Sequence, residues 1–343
     1  MSEQIIVVDE GSAQGIAAWF DENTRTIKCH LEPSMIGREV DTDPVGNPLD
    51  NSYMVGDDEY CVSPSLTSPV TTKRDTYQTS VENRVLVHEV LRKAGFGGQD
   101  IRIMATLPIT QYYYGDSHQR NDDLITLKKR NLMGEIKNIN KTPLATITEA
   151  FVAPESIPGF FDYAINDQGK WTFQLQPGET AMVVDTGGTT TDMCVVAGAG
   201  SPQKRFSVPV GVFDIAAALA TEMIAAGKAK KLPRAHLDAV LRTGKYRDFD
   251  CREMISKASQ KVIGTILNMM QEFESDSKAL EKIIFVGGGA AIIGQQLAEE
   301  YGNPENSVIP EAPDLSVARG LVKMQLAQKL AQKAKARDAK AEA

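Results

Sequence analysis

The sequence predicts an α/β fold in two similar halves with a ligand cleft between them. Three observations predict it. Apolar runs that read as strands alternate with segments of helical periodicity along the chain. Two of those strands, in IIVVDEGS (5–12) and MVVDTGGTTTD (182–192), end in an aspartate and a Gly-containing turn, and each opens one half of the chain. A third, in KIIFVGGGAAIIG (282–294), feeds a triple glycine and then a helix. The length agrees, since 343 residues exceed one small core and suggest about two domains. Glycine turns that face each other across two halves would make a cleft, where ligands tend to bind.

The elements follow in order. Residues 5–12 read as a buried strand that stops at Gly11. A loop-rich, proline-containing stretch runs from Pro33 to Thr72. VENRVLVHEVLRKAG (81–95) has helical spacing and ends at Gly95, a C-cap residue. IRIMATLP (101–108) alternates and stops at Pro108, as a strand does, and NDDLITLKKRNLM (121–133) is a helix opened by Asn121 or Asp122. ATITEAFVAPESIPGFFDYAI (145–165) reads as a strand and a proline-bracketed turn, and WTFQLQPGE (171–179) as a hairpin edge. VGVFDIAAALATEMIAAGK (210–228) is an Ala-rich helix. In 252–273 the apolar residues Ile255, Ala258, Val262, Ile266, Met269 and Phe273 make one helical face. A last helix starts near Asp314 or Ser316, and the Ala- and Lys-rich tail reads as a solvated helix or as a basic contact arm for an acidic neighbour.

Composition excludes several function classes. A net charge of −8 is a poor match for a phosphate backbone, so any role with DNA is expected to run through an adaptor. The four cysteines, Cys29, Cys61, Cys194 and Cys251, form no CxxC pair and read as reduced thiols. No apolar run approaches bilayer length, and the start MSEQIIVVDE carries no basic leader, so a cytoplasmic location with no membrane partner is expected. His30, His88, His118 and His236 are scattered and suggest no metal centre, and Tyr112, Tyr113 and Tyr114 read as packing at a strand end.

Chemistry concentrates in the glycine turns. Their N–H groups can converge on one oxyanion, because glycine allows the dihedrals this needs, and Thr hydroxyls add donors. DTGGTTTD (185–192) suits a terminal phosphate, and DEGS (9–12) offers a smaller set. Asp9 and Asp185 each end a strand, and Mg²⁺ favours one or two carboxylates with phosphate oxygens and water. No GxxxxGK[ST] loop is present and no GxGxxG follows a strand, which excludes the P-loop and dinucleotide-binding readings.

In this order the three loops resemble those of the actin-like ATPase superfamily: VVDEGS the first phosphate loop, VVDTGGTTTD the second, IIFVGGGAAIIG the adenosine loop. TLPITQYY (106–113), LKKRN (127–131) and PESIPGFF (154–161) narrow the resemblance to plasmid segregation actins of the ParM/StbA type, over about residues 5–322. The resemblance implies an actin-like, ribonuclease H-like fold of two domains with nucleotide in the interdomain cleft. Domain I would span 1–176, with the C-terminal helix at about 314–330 packed back on it; domain II would span 177–313, and a basic tail 331–343.

The resemblance also implies roles. Asp9, Gly11 and Ser12 would meet the β-phosphate side and the magnesium shell. Asp185 would hold magnesium through water, with Gly187, Gly188, Thr189 and Thr190 on the γ-phosphate. Gly287, Gly288 and Gly289 would let the backbone approach the adenosine, and Lys129 would lie near the nucleoside. Glu155 would orient or deprotonate the attacking water. The implied activity is hydrolysis of ATP, with GTP as the alternative, coupled to head-to-tail assembly into filaments that push plasmids apart through a ParR-like adaptor on a centromere-like DNA site. Two departures stand out. The family's lysine after the first loop falls at Ile16, and the stretch between Glu155 and Asp185 is longer than usual. A sugar-kinase-type phosphotransferase is the alternative, but no sugar pocket segment is legible; a chaperone would need a further client domain.

Overall fold

Burial and hydrogen bonding organise the chain into two five-stranded sheets of the same topology. The computed structural model describes residues 4–341 apart from 67, 115, 116 and 118. In the first sheet, β1 (Ile5–Glu10) pairs antiparallel with β2 (Gln14–Asp21), and β2 with β3 (Thr26–Pro33). A small antiparallel sheet follows, formed by β4 (Ile36–Gly37), β5 (Ser52–Val55) and β6 (Asp58–Val62). Helix α1 (Val81–Leu91) then crosses to β7 (Asp100–Leu107), which lies parallel to β1. Helices α2 (Ile109–Tyr112) and α3 (Asp122–Leu132), with β8 (Lys137–Asn138) completing the small sheet, lead to β9 (Thr146–Pro154), parallel to β7.

Helix α4 (Ile157–Ala164) carries the chain to the second sheet. There β10 (Thr180–Thr186), β11 (Thr191–Ala197) and β12 (Ser201–Val208) form an antiparallel meander, as β1–β3 do in the first. Helices α5 (Val212–Ala225) and α6 (Arg234–Thr243), the short pair β13 (Lys245–Tyr246) and β14 (Phe249–Asp250), and α7 (Arg252–Phe273) cross to β15 (Lys282–Val286), parallel to β10. Helix α8 (Ala290–Glu300) leads to β16 (Ser307–Val308), and α9 (Ser316–Ala341) closes the fold.

Three stretches differ from the sequence reading. The expected loop at 33–72 contains β4–β6, where Tyr53 opposes Tyr60 and both are buried. The expected hairpin at 171–179 makes no ladder; beyond one bridge between Ile165 and Trp171, the segment lays Trp171 and Phe173 on Phe160 of α4. The proline-bracketed turn is brief, and Pro158 then sits in the first turn of α4, where its missing N–H costs nothing. Strands β2, β3, β11 and β12 and helix α6 went unread. β2 is covered on both faces, Gly15 meeting Val90 of α1 while Ile16 and Ala18 join the cluster with α9, so its pattern does not alternate.

The two connecting helices place the site. α4 lies within the first 176 residues, yet Phe160, Phe161 and Ala164 pack with Val183, Ile284 and Val286 of the second sheet. α9 comes last in the chain, yet Ala318, Leu321 and Val322 pack with Val7, Ile16 and Ala18 of the first sheet. The helices cross where Gly320 meets the Pro158 carbonyl; a Cβ at 320 would stand 1.9 Å from that oxygen. Beside the crossing, buried Asp162 accepts from Arg319 Nη2 at 2.6 Å and pairs with Lys323 at 2.8 Å. Past Leu330, α9 runs on as a helix whose residues 331–337 are exposed.

Candidate functional site

A cleft of about 760 Å³ opens between the two sheets. The ends of β1 and β10 meet across it, so the turn after each strand faces the other. Ser12 Oγ lies 3.2 Å from Thr189 Oγ1, joining the two turns directly. The first turn is held by its carbonyls. Ser34 Oγ donates to Gly11 O at 2.8 Å, Thr72 Oγ1 to Ser12 O at 2.8 Å, and Ser34 N to Ala13 O at 2.9 Å. The second is held in the same way, Val212 N donating to Gly187 O at 3.0 Å and Phe213 N to Gly188 O at 2.9 Å from the start of α5. Among the described residues, the N–H groups of Gly11, Ser12, Ala13, Gly188 and Thr189 donate to no protein acceptor. Unpaired N–H groups gathered at a cleft suit an anion.

Four carboxyl groups converge beneath these turns. Asp185 and Asp192 oppose each other in the β10–β11 ladder and are buried. Asp9 and Glu155 are bridged by Thr106, whose Oγ1 is 2.9 Å from Asp9 Oδ1 and 3.3 Å from Glu155 Oε1. A hydroxyl carries one proton, so it serves one of these acids while the other must hold its own. Burial pushes all four acids up, with Glu10 adding to it at Asp9 and the neighbouring acids adding to it at Glu155 and Asp185: Asp9 and Asp192 rise to about 6, Glu155 and Asp185 well above the ordinary carboxylate range. A divalent cation is what would let such a group ionise together, so the residues present fit magnesium. No three His, Cys, Asp or Glu side chains among the described residues could ligate one ion together; magnesium usually keeps several of its waters and takes one or two carboxylates.

Glu155 reaches the cleft through a strained turn. Ser156 has φ 67° and ψ −58°, and Ile157 N donates to Glu155 O at 2.8 Å, the geometry of the rarer γ-turn. A non-glycine residue in this conformation costs about 1–3 kcal/mol and persists where surrounding contacts impose it. The Ser156 backbone N–H favours the charged form of the Asp185 carboxyl, so the turn that carries Glu155 past the end of β9 also lies beside the acid of β10.

Asp192 offers a direct test of this electrostatic picture. Its rise from an ordinary 3.8 to about 6 is worth about 3 kcal/mol. Above pH 6 the folded protein must hold this charge buried while the unfolded chain hydrates it; below about 3.8 both forms are neutral and no penalty exists. Asp192→Asn should therefore stabilise the nucleotide-free protein by about 1–3 kcal/mol at about pH 8 and hardly at all near pH 4. Urea titrations at the two pH values would show this, and an equal effect at both would contradict it.

The predicted residues fall unevenly around the cleft. Asp9, Gly11, Glu155, Asp185, Gly187, Gly188, Gly287 and Gly288 line it, and Ser12, Thr189 and Thr190 lie in the same turns. The triple glycine divides its work. Gly287 has φ +81° and a Cβ there would stand 2.5 Å from Asp185 Oδ1; a Cβ on Gly289 would strike Thr186, whereas Gly288 faces open space. Lys129 is not brought into the cleft. It stands over Phe151, with its Nζ 6.0 Å from the ring centroid. One residue earlier on α3, a helical step of about 100°, Lys128 points inward and pairs with buried Glu10, and Glu10 in turn accepts from Thr106 N at 3.4 Å. At position 16, buried Ile16 pairs with Asp9 in the β1–β2 ladder. Arg242 and Asp238 of α6 also line the cleft, with Arg242 reaching Gln14 Oε1 at 2.8 Å.

Sequence reasoning missed Asp192, Thr106, Glu10 with Lys128, and the α6 residues. Asp192 stood in the quoted DTGGTTTD, and strand alternation from Asp185 through the hairpin would have found it; Glu10, Thr106 and Lys128 also stood in quoted segments (DEGS, TLPITQYY and LKKRN), but nothing local shows that they meet, and the α6 residues lay in no quoted motif. His30 pairs with Glu32, His88 is buried, His236 is exposed on α6, and His118 lies outside the described residues. No described helix is long and apolar enough to cross a membrane.

Two family models match the chain in sequence. That of the plasmid segregation protein ParM, N-terminal, covers residues 4–166, and that of the archaeal actin homologue MreB-like, C-terminal, covers 183–299. No curated protein matches. Among solved structures, a 15-stranded ParM filament from Clostridium botulinum is similar at a TM-score of 0.72 and 18% identity, over 96% of this chain and 100% of that one. An archaeal actin homologue in complex with ADP gives 0.72 and 18%, over 95% and 100%. The apo pSK41 ParM protein gives 0.64 and 15%, over 98% and 100%. At these identities the likeness is one of fold.

Proposed function

The chain belongs to the actin-like proteins of the ParM/StbA type, and from that premise we propose that it is an ATPase that polymerises with ATP and magnesium into filaments and segregates plasmid DNA. The observation that carries the reading is the pair of facing turns, five of whose N–H groups have no protein acceptor among the described residues, set above four acids that need a cation.

In this reading the turn at Gly11–Ser12 receives the β-phosphate side and the turn at Gly187–Thr190 the γ-phosphate. Asp9 and Asp185 hold magnesium mainly through water. The ion, when bound, supplies the positive charge that stabilises the triphosphate and the acids around it. Thr106 keeps Asp9 and Glu155 in register, and the strained turn at Ser156 fixes Glu155 toward the cleft. Glu155 orients the attacking water and takes its proton, since γ-phosphate hydrolysis rests on positioning and charge stabilisation. Gly287 and Gly288 admit the nucleoside end. Head-to-tail contacts between identical subunits do not close, so they generate an open polymer. The filament would act in the bacterial cytoplasm through a ParR-like adaptor on a plasmid centromere, without direct DNA or membrane binding; the net charge of −8 is consistent with that division of labour.

The purified protein is expected to pellet on high-speed centrifugation after addition of ATP and magnesium, and to show filaments by electron microscopy. Running GTP in parallel decides the purine. Absence of polymer with ATP, GTP or slowly hydrolysed analogues across magnesium and salt would overturn the reading.

A further inference from the structure

Arg234, the first residue of α6, occupies a costly position. A cation at a helix N-terminus opposes the helix dipole. The side chain is only 20% exposed, and its Nε is buried without a hydrogen-bond partner, with Asp238 Oδ2 at 3.8 Å. Within α6 only this long ion pair with Asp238, among the described residues, offsets the cost. What Arg234 touches lies across the cleft: its Nη2 donates to Ala13 O at 3.1 Å and Ser12 O at 3.3 Å. Its guanidinium also stacks 4.0 Å from the Phe213 ring centroid, and Phe213 is the residue whose N–H holds the Gly188 carbonyl of the second turn.

The geometry of a planar trans peptide gives these contacts a consequence. C=O and N–H point in opposite directions, so a carbonyl drawn to one side aims its N–H to the other. Ser12 O shares its peptide with the Ala13 N–H, one of the unpaired donors of the first turn. Thr72 and Ser34 hold the same carbonyls from the first sheet's side. Arg234 holds them from the second, and through Phe213 it is coupled to the turn there.

We infer that Arg234 is a positioning residue that makes seating of the first phosphate turn and closure of the cleft a single event, and so sets how long a nucleotide stays bound. This rests on the nucleotide-binding reading above. When the two walls part, the Arg234 contacts to Ser12 and Ala13 break, and the first turn keeps only its own-side donors. Arg234 touches neither Glu155 nor Asp185, so its loss alters retention rather than the hydrolytic step.

Arg234→Met keeps the stem that packs on Phe213 and removes the donors; Arg234→Lys keeps a donor without the planar fork. Dissociation of a fluorescent ATP analogue should be about tenfold or more faster in the Met variant, with KM raised in step and kcat within about threefold of wild type. The Lys variant should fall between. Unchanged dissociation in Arg234→Met, or a fall in kcat with unchanged dissociation, overturns the inference while leaving nucleotide binding intact. Failure of the wild-type protein to bind the analogue would instead remove the nucleotide reading and the inference with it.

Discussion

Replacing Glu155 with glutamine should leave ATP binding and filament assembly in place while lowering phosphate release by about 100-fold or more. Glutamine keeps the shape of the side chain and its contact with Thr106, but it cannot accept a proton from water. Steady-state phosphate release, measured beside pelleting, separates the two effects. The wild-type rate should also depend on pH in a defined sense. Burial, then Asp9, Asp192 and Asp185, raise the Glu155 carboxyl well above the ordinary range. A raised acid ionises only as pH climbs, so the rate should increase with pH at values well above the ordinary carboxylate range, and bound magnesium should move that rise to lower pH. The glutamine variant should lack this limb. Normal turnover in Glu155→Gln would remove this residue from the chemistry.

Gly320→Ala is expected to destabilise the protein by at least about 3 kcal/mol. An added Cβ would stand 1.9 Å from the Pro158 carbonyl, a backbone atom that no rotamer change can move. Relief requires α4 and α9 to separate, and each is anchored in the core of a different sheet. Separation would also pull Asp162 from Arg319 and Lys323 and leave buried charge uncompensated. Gly264→Ala in α7 is the matched control. Nothing lies within 4 Å of its Cβ position, so that change should stabilise by up to about 1 kcal/mol. Chemical denaturation of both variants gives the contrast, and near-equal stabilities would contradict the tight crossing.

Fold and site were legible to different degrees. The Asp–Gly turns after β1 and β10 and the triple glycine after β15 could be read directly, because a strand end and a glycine turn are set by neighbouring residues. Lys129 shows where such reading stops. LKKRN identifies α3, but only the packing of α3 beside Gln78 and Glu10 decides that Lys128 turns inward and Lys129 outward. The stretch 165–179 shows the same limit, since its aromatic residues satisfy themselves against α4 and need no strand partner.

By itself the sequence determined the two-fold α/β architecture, the glycine turns that close on the cleft and the two strand-end aspartates. All of these follow from local backbone preference and apolar periodicity. Only the tertiary structure decided that Thr106 joins Asp9 to Glu155, that Asp192 adds a fourth acid, that Arg234 reaches the first turn from the opposite wall, and that α4 and α9 each serve the far sheet. These pairings link residues far apart in the chain. Whether such residues meet depends on the face and register each element adopts when the cores pack, and no short window of sequence carries that information.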